Sequence, residues 1–137
     1  NGLRWHVRAY DRKRKKFSDF VINRVLSIEL LYQEIFEKNE SIDEDAEWME
    51  QVELIIQPHP RLPRNKQRAV EEEFRMQGGV LLKEVKKAQV GYLLNSWNVD
   101  STVDADLKGH HVLLHLKNAE DIKKMNIESF LLAPSLD

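Results

Sequence analysis

Two runs decide how this chain reads: Leu3-Arg4-Trp5-His6-Val7-Arg8-Ala9-Tyr10 and Phe17-Ser18-Asp19-Phe20-Val21-Ile22-Asn23-Arg24-Val25, joined by Asp11-Arg12-Lys13-Arg14-Lys15-Lys16. In the first run Trp5, Val7 and Ala9 alternate with Arg4, His6, Arg8 and Tyr10. A period of two marks a half-buried strand, here with a polar, cationic second face. The second run continues to about residue 31, and its Phe20, Ile22, Leu26, Ile28 and Leu30 share one parity. With the charged connection between them, the runs predict an antiparallel hairpin. Asn1-Gly2 ahead of it is a strong hairpin-turn dipeptide, because both residues tolerate positive φ. A turn followed by a strand and preceded by nothing predicts a C-terminal piece of a longer protein, continuing a β-meander.

Arg24 sits inside the apolar row of the second run. Burying an unpaired guanidinium costs several kcal/mol, so it must meet a carboxylate, a phosphate or water. The plainer reading is an internal pair with Asp19 or Glu29, or a bulge that turns Arg24 outward. The sharper reading is that Arg24 converges with the cationic face of the first strand, Arg8 with His6, on an anionic ligand. Guanidinium forks suit bidentate recognition of phosphate or carboxylate.

Charge is unevenly placed. Residues 1–28 hold eight Lys/Arg against two Asp, and residues 29–53 hold ten Asp/Glu against Lys38 alone, although the whole chain of 137 residues is only −2. The acidic stretch has isolated apolar anchors, and it reads as a linker with short helical turns, held to the surface by Phe36 and Trp48. Asp43-Glu44-Asp45 reads as part of that solvated connector rather than a metal cluster.

Beyond it, residues 52–57 form a short strand closed by Pro58-His59-Pro60. A helix is expected over 66–77, with Asn65 as N-cap, Arg68–Glu72 and Glu71–Arg75 pairs outside, and Gly78-Gly79 as its stop. A strand over 80–85 and a helix over 86–97 complete a strand–helix–strand–helix unit that predicts a small α/β layer domain. Residues 110–116 alternate again, with Val112, Leu114 and Leu116 inward and His111 and His115 on the solvent side. A short helix over 119–125 and a tail docking through Phe130, Leu131 and Leu132 end the chain.

Composition excludes several functions. There is no cysteine, which removes disulfides, thiolate metal sites and cysteine nucleophiles. Hydrophobic residues make up 42%, enough for a core, yet no window is long and apolar enough for a membrane span. No Gly-rich phosphate loop, nucleophile elbow or zinc-helix motif occurs. His111 and His115 lie about 13 Å apart on a strand at ~3.3 Å per residue, too far for one metal. His59 reads as structural, and the carboxylates at 71–73 as a solvated face. No enzyme, cofactor or metal is indicated, and the Asn39 glycosylation triplet has no secretory context.

The two opening runs resemble the end of a WYL domain: its Trp-Tyr-Leu triplet falls on Trp5-His6-Val7, and its strand-ending Arg-Ile on Arg24-Val25. Pro58-His59-Pro60, residues 67–76 and residues 85–94 resemble the C-terminal extension, or WCX domain, that follows WYL in many bacterial transcriptional regulators. The form Trp-His-Val-Arg-Ala-Tyr is similar to regulators associated with phage-defence islands. The resemblance implies an α+β chain: residues 1–35 as the last strands of an Sm-like, SH3-like antiparallel β-barrel, 36–51 as an acidic linker, and 52–137 as a small α/β layer domain. It further implies a homodimer whose DNA contacts lie in an N-terminal winged helix-turn-helix absent from this sequence; a cytoplasmic location is the default expectation where no signal peptide opens the sequence. Carried over by position, His6, Arg8 and Arg24, with Tyr10, would hold an anionic effector, a small molecule, nucleotide or oligonucleotide. Binding would reorient the DNA-reading heads.

Two alternatives stand beside this reading. One is a direct single-stranded nucleic-acid binder, with Arg12, Lys13, Arg14, Lys15 and Lys16 on phosphates and Trp5, His6 or Tyr10 stacking bases. The other is a purely structural assembly domain.

Overall fold

In a computed structural model that describes residues 4–33 and 35–134, the opening runs form the expected hairpin. The Asn1-Gly2 turn lies outside the described residues. Strand β1 (His6–Asp11) pairs antiparallel with β2 (Lys16–Val21), from His6 opposite Val21 to Asp11 opposite Lys16. At the tip Asp11 Oδ1 accepts the N–H groups of Lys13 (3.0 Å) and Arg14 (3.2 Å), and Lys15 takes a left-handed φ of 55°. An Asp side chain that bonds its own turn in this way fixes the reversal.

The second strand is shorter than its alternation predicts. After Val21 the ladder runs out of partner backbone: the Ile22 N–H reaches the Trp5 carbonyl at 3.0 Å, and a 3-10 turn (Ile22–Arg24) follows. Residues 25–31 belong to neither strand nor helix. The predicted inward row is therefore outward, with Leu26 fully exposed and Ile28 and Leu30 largely so. Trp5 is 75% exposed, against the expectation of a core position. The described residues form a two-stranded ribbon here and no closed barrel.

The chain divides into two units, Asn1–Met49 and Glu50–Asp137. The acidic stretch belongs to the first, as 3-10 turns (Lys38–Glu40, Ile42–Glu44) and the single-turn helix α1 (Ala46–Met49). Trp48 is half-buried, while Phe36 remains 67% exposed and anchors nothing.

The second unit is a sheet with helices packed into one core. Its strands are β3 (Gln51–Pro58), β4 (Leu81–Lys86), β5 (Val99–Asp100) and β6 (Leu114–Leu116), in the order β4-β3-β6-β5. β3 is antiparallel to both neighbours, and β5 is parallel to β6. A parallel pair needs a crossover of about a dozen residues, which residues 101–113 supply. Val52, Leu54 and Ile56 of β3 enter the core with Val70, Val90, Leu94, Leu114, Leu116 and Ile122, from helices α2 (Arg64–Glu73), α3 (Val90–Ser96) and α4 (Ala119–Lys124) and from β6. Each fully buried aliphatic side chain contributes about 1.5–3 kcal/mol.

Local details differ from the sequence reading for identifiable reasons. Helix α2 starts behind Pro63 rather than Asn65, proline's fixed φ suiting a helix entrance. It ends at Glu73, Arg75 taking φ 51° while the Met76 N–H bonds the Glu71 carbonyl. Gly78 and Gly79, both at positive φ, make the tight turn across which Gln77 and Val80 pair. Past β6 the Asn118 amide stands in for a peptide group: Oδ1 accepts the Ile55 N–H (3.0 Å) and Nδ2 donates to the Glu53 carbonyl (2.9 Å). The tail closes over α3 as a 3-10 turn (Glu128–Leu132) in which Phe130 packs on the core and Leu131 remains exposed.

Candidate functional site

By register, His6, Arg8 and Tyr10 share a face of the hairpin with Val21, Asp19 and Phe17. The acidic stretch folds onto this face. Arg8 donates from Nε and Nη2 to the two carboxylate oxygens of Asp45 (Nη2 to Oδ1, 2.8 Å) and from Nη1 to Asp19 Oδ1 at 3.1 Å. Asp45 is buried, and the Arg8 side chain is only 13% exposed. Bidentate guanidinium–carboxylate pairing is among the stronger polar contacts available to a protein. The Asp45 hydrogen bonds outweigh burial, and with Asp19 they hold the Arg8 pKa above its ordinary value. Arg8 thus presents no open fork to a ligand; an anion could reach it only by displacing Asp45.

The hairpin tip is also engaged. Arg12 forks onto Glu40, Nε to Oε1 at 2.6 Å and Nη2 to Oε2 at 3.0 Å. The Arg12 contact, with the Glu37 N–H, pulls the Glu40 carboxyl below its usual pKa. Arg14 lies 3.7 Å from its neighbour Asp11, and Lys16 has interactions of its own. Lys13 and Lys15 are exposed with no ion pair among the described residues. Tyr10 meets Phe17 edge-on at 5.2 Å, and its hydroxyl accepts from Asn39 Nδ2 at 3.4 Å. His6 is exposed at the start of β1 and has an interaction of its own.

Arg24 stands differently. It ends the 3-10 turn, is exposed, and has no ion pair among the described residues. It lines an open cleft of about 500 Å³ with Asp19, Phe20, Val21, Val25, Leu26 and Ser27. Beside apolar side chains the cleft holds the Arg24 guanidinium, the Ser27 hydroxyl and the Asp19 carboxylate, and the guanidinium is the group suited to the anionic end of a ligand with an apolar body. Asp19 is shared, bonding Arg8 and lining the cleft. Tyr10, Arg12 and Lys15 instead line a second hollow of about 600 Å³ with Ile35, Glu37, Asn39 and Glu40.

Asp45, expected as part of a solvated connector, is instead buried against Arg8. Its signal was the adjacency of a basic block and an acidic block in one small unit, which reads as mutual pairing once the acidic stretch is allowed to fold.

The histidines of the second unit serve structure. Asp100 is fully buried: Oδ1 accepts the Thr102 N–H (2.8 Å) and hydroxyl (2.7 Å), and Oδ2 accepts the Leu107 N–H (3.1 Å) and His59 Nε2–H (2.9 Å). Burial pushes the Asp100 carboxyl up, but these donors together outweigh it and hold it below its ordinary value. His59 Nδ1 accepts the Arg61 N–H, which places the ring hydrogen on Nε2. His115, expected on the solvent side, is buried, bonding Gln57 Nε2 through Nδ1 and the Thr102 carbonyl through Nε2. The 101–113 crossover covers it. Among the described residues no group of three His, Cys, Asp or Glu side chains is placed to hold a metal ion, and no helix is long and apolar enough to cross a membrane.

The family model described as BrxR transcriptional regulator, C-terminal dimerization domain, matches residues 51–122, essentially the second unit's sheet with α2, α3 and most of α4. Similar curated proteins are each named DNA-binding transcriptional repressor CapW. That of Pseudomonas aeruginosa is 35% identical over 91% of this chain and 40% of its own length. That of Stenotrophomonas maltophilia is 31% identical over 90% of this chain and 40% of its length. That of Escherichia coli is 28% identical over 89% of this chain and 39% of its length. The chain therefore spans about 40% of the length of these relatives. These matches agree with the resemblance to the C-terminal part of a WYL-type regulator, and on the match of residues 51–122 the chain belongs to the BrxR transcriptional regulator C-terminal dimerization domain family.

Proposed function

We propose that this chain is the dimerising and effector-sensing C-terminal region of a cytoplasmic, non-enzymatic DNA-binding transcriptional repressor. In this reading the second unit joins two copies and corresponds to the WCX extension. The first unit is the end of an Sm-like WYL domain, and it holds an anionic ligand, a nucleotide or a short oligonucleotide. The DNA-reading domain belongs to the part of the protein outside this sequence.

The observation that carries the sensing half is the exposed Arg24 guanidinium, with no ion pair among the described residues, in a cleft lined by Phe20, Val21, Val25 and Leu26 together with Asp19 and Ser27. Arg8 takes a supporting role: locked to Asp45 and Asp19, it fixes the hairpin against the acidic stretch and so fixes the wall of the cleft that Asp19 provides. Negative charge held at Arg24 would repel the Asp19 carboxylate that lines the same cleft and so disturb its bond to Arg8, a local charge event able to bias a larger rearrangement. The pairing of Arg12 with Glu40 weighs against a phosphate-tracking hairpin tip.

Native mass spectrometry of the purified chain and of Arg24→Ala tests the reading. The expected result is a dimer carrying one bound anionic molecule per subunit, with the ligand but not the dimer lost in the variant. A ligand-bearing Arg24→Ala protein would overturn the assignment of the site, and a monomer at all concentrations would overturn the dimerising role.

A further inference from the structure

Alternation along β3 sends Val52, Leu54 and Ile56 into the core and Glu53, Ile55 and Gln57 to the opposite face of the sheet. The register sets Glu84 opposite Glu53 and Leu82 opposite Ile55 on that second face. Lys117, whose N–H bonds the Ile55 carbonyl just past β6, continues the parity of His115 and joins them. At the β6 end the crossover lies over His115, whereas Leu82 is 55% exposed and Glu53, Glu84 and Lys117 are exposed.

This face is unfavourable for an isolated subunit. Two carboxylates directly opposite in an antiparallel pair have Cβ atoms about 4.5–5.5 Å apart and repel. Neither has an ion-pair partner among the described residues, and neither does Lys117. A leucine 55% exposed beside a half-buried isoleucine adds apolar area that the described residues leave uncovered. A partner that brings a cation to the glutamates and an apolar surface to Leu82 would remove both costs. The face itself has those properties, since it carries Lys117 next to Ile55 and Leu82. Self-complementarity of this kind is what a two-fold, isologous contact requires, and each interaction then occurs twice.

We propose that this open sheet face is the surface through which two copies of the chain associate, Lys117 of each copy meeting the Glu53–Glu84 pair of the other across a contact centred on Leu82 and Ile55. The proposal rests on the dimerising role given above and adds the surface that performs it. Like-charge repulsion within a subunit and attraction between subunits come from the same two side chains, so the pair resists exposure and favours association.

Charge reversal separates the two effects. Glu53→Lys places a cation opposite Glu84, which leaves the subunit as stable or more so to urea. In the dimer it sets Lys against Lys117 at both symmetry-related contacts. Sedimentation velocity of the 137-residue chain should then show the dimer dissociation constant raised about a hundredfold, about tenfold per contact. Lys117→Glu should weaken association by a similar factor, and Glu53→Lys with Lys117→Glu should recover most of it. A wild-type dimer whose dissociation constant is unmoved by either single reversal overturns this surface while leaving the dimerising role intact. A wild-type chain that is monomeric at every concentration overturns the dimerising role itself.

Discussion

Arg8→Ala should open the first unit rather than empty a ligand site. The substitution removes three charge-assisted hydrogen bonds, two to Asp45 and one to Asp19, and leaves the Asp45 carboxylate, 3% exposed, with no cation. Truncating one partner of a buried pair costs about 3–5 kcal/mol, most of it the penalty of the stranded charge. A unit of some fifty residues has a net stability of about that size. Residues 38–49, which reach the hairpin through Asp45 and Glu40, should therefore detach. Hydrogen exchange read by mass spectrometry should show their amides exchanging about a hundred- to a thousandfold faster, while β3 and β6 keep wild-type protection. Arg8→Ala with Asp45→Ala should cost less than the two single changes summed, by about 1–3 kcal/mol, because no charge is stranded. The reasoning is refuted if Arg8→Ala leaves exchange over 38–49 unchanged and instead abolishes binding of a nucleotide or oligonucleotide.

Two further outcomes concern the second unit. Asp100 has a carboxyl pKa held below its ordinary value, so its stabilising contribution is complete above the unfolded-state value of about 3.9 and is lost as pH falls through the lower folded value. Asp100→Asn should cost about 1.5–3 kcal/mol at pH 7, and urea midpoints should fall less steeply below pH 4 in the variant than in the wild type. Gly91→Ala would set a Cβ 1.5 Å from the Ser129 carbonyl oxygen. It should displace the Glu128–Leu132 turn at a cost of about 3 kcal/mol, seen as faster proteolysis after Lys123 and Lys124.

The second unit was more legible in the sequence than the first, for physical reasons. Its strands and helices bury one face each, so Val52, Leu54 and Ile56, or Val90 and Leu94, betray their elements by spacing alone. Boundaries moved where backbone chemistry overrode pattern, as at Pro63, which takes the N-cap position expected at Asn65 so that the helix begins at Arg64. In the hairpin the same alternation misled. Trp5 and Leu26 have the right parity for a core, but parity says only that a residue can be buried, and here the layer that folds against the hairpin is the acidic stretch on its polar face. The Arg8–Asp45 pair spans 37 positions, and no local pattern reports a contact at that range. Likewise Arg24 looked like a member of a strand because nothing in the sequence marks where β1 ceases to offer partners.

The most direct test of the account is the affinity of the chain for a fluorescent deoxythymidine pentanucleotide across a salt series, measured for the wild type, Arg24→Ala, and the tip variant Lys13→Gln with Lys15→Gln. A site built on Arg24 predicts at least a tenfold loss in Arg24→Ala, little change in the tip variant, and a shallow salt dependence of about one phosphate, with a log–log slope near −0.7. Undiminished affinity in Arg24→Ala, or a slope steeper than about −2 that the tip variant flattens, would contradict it.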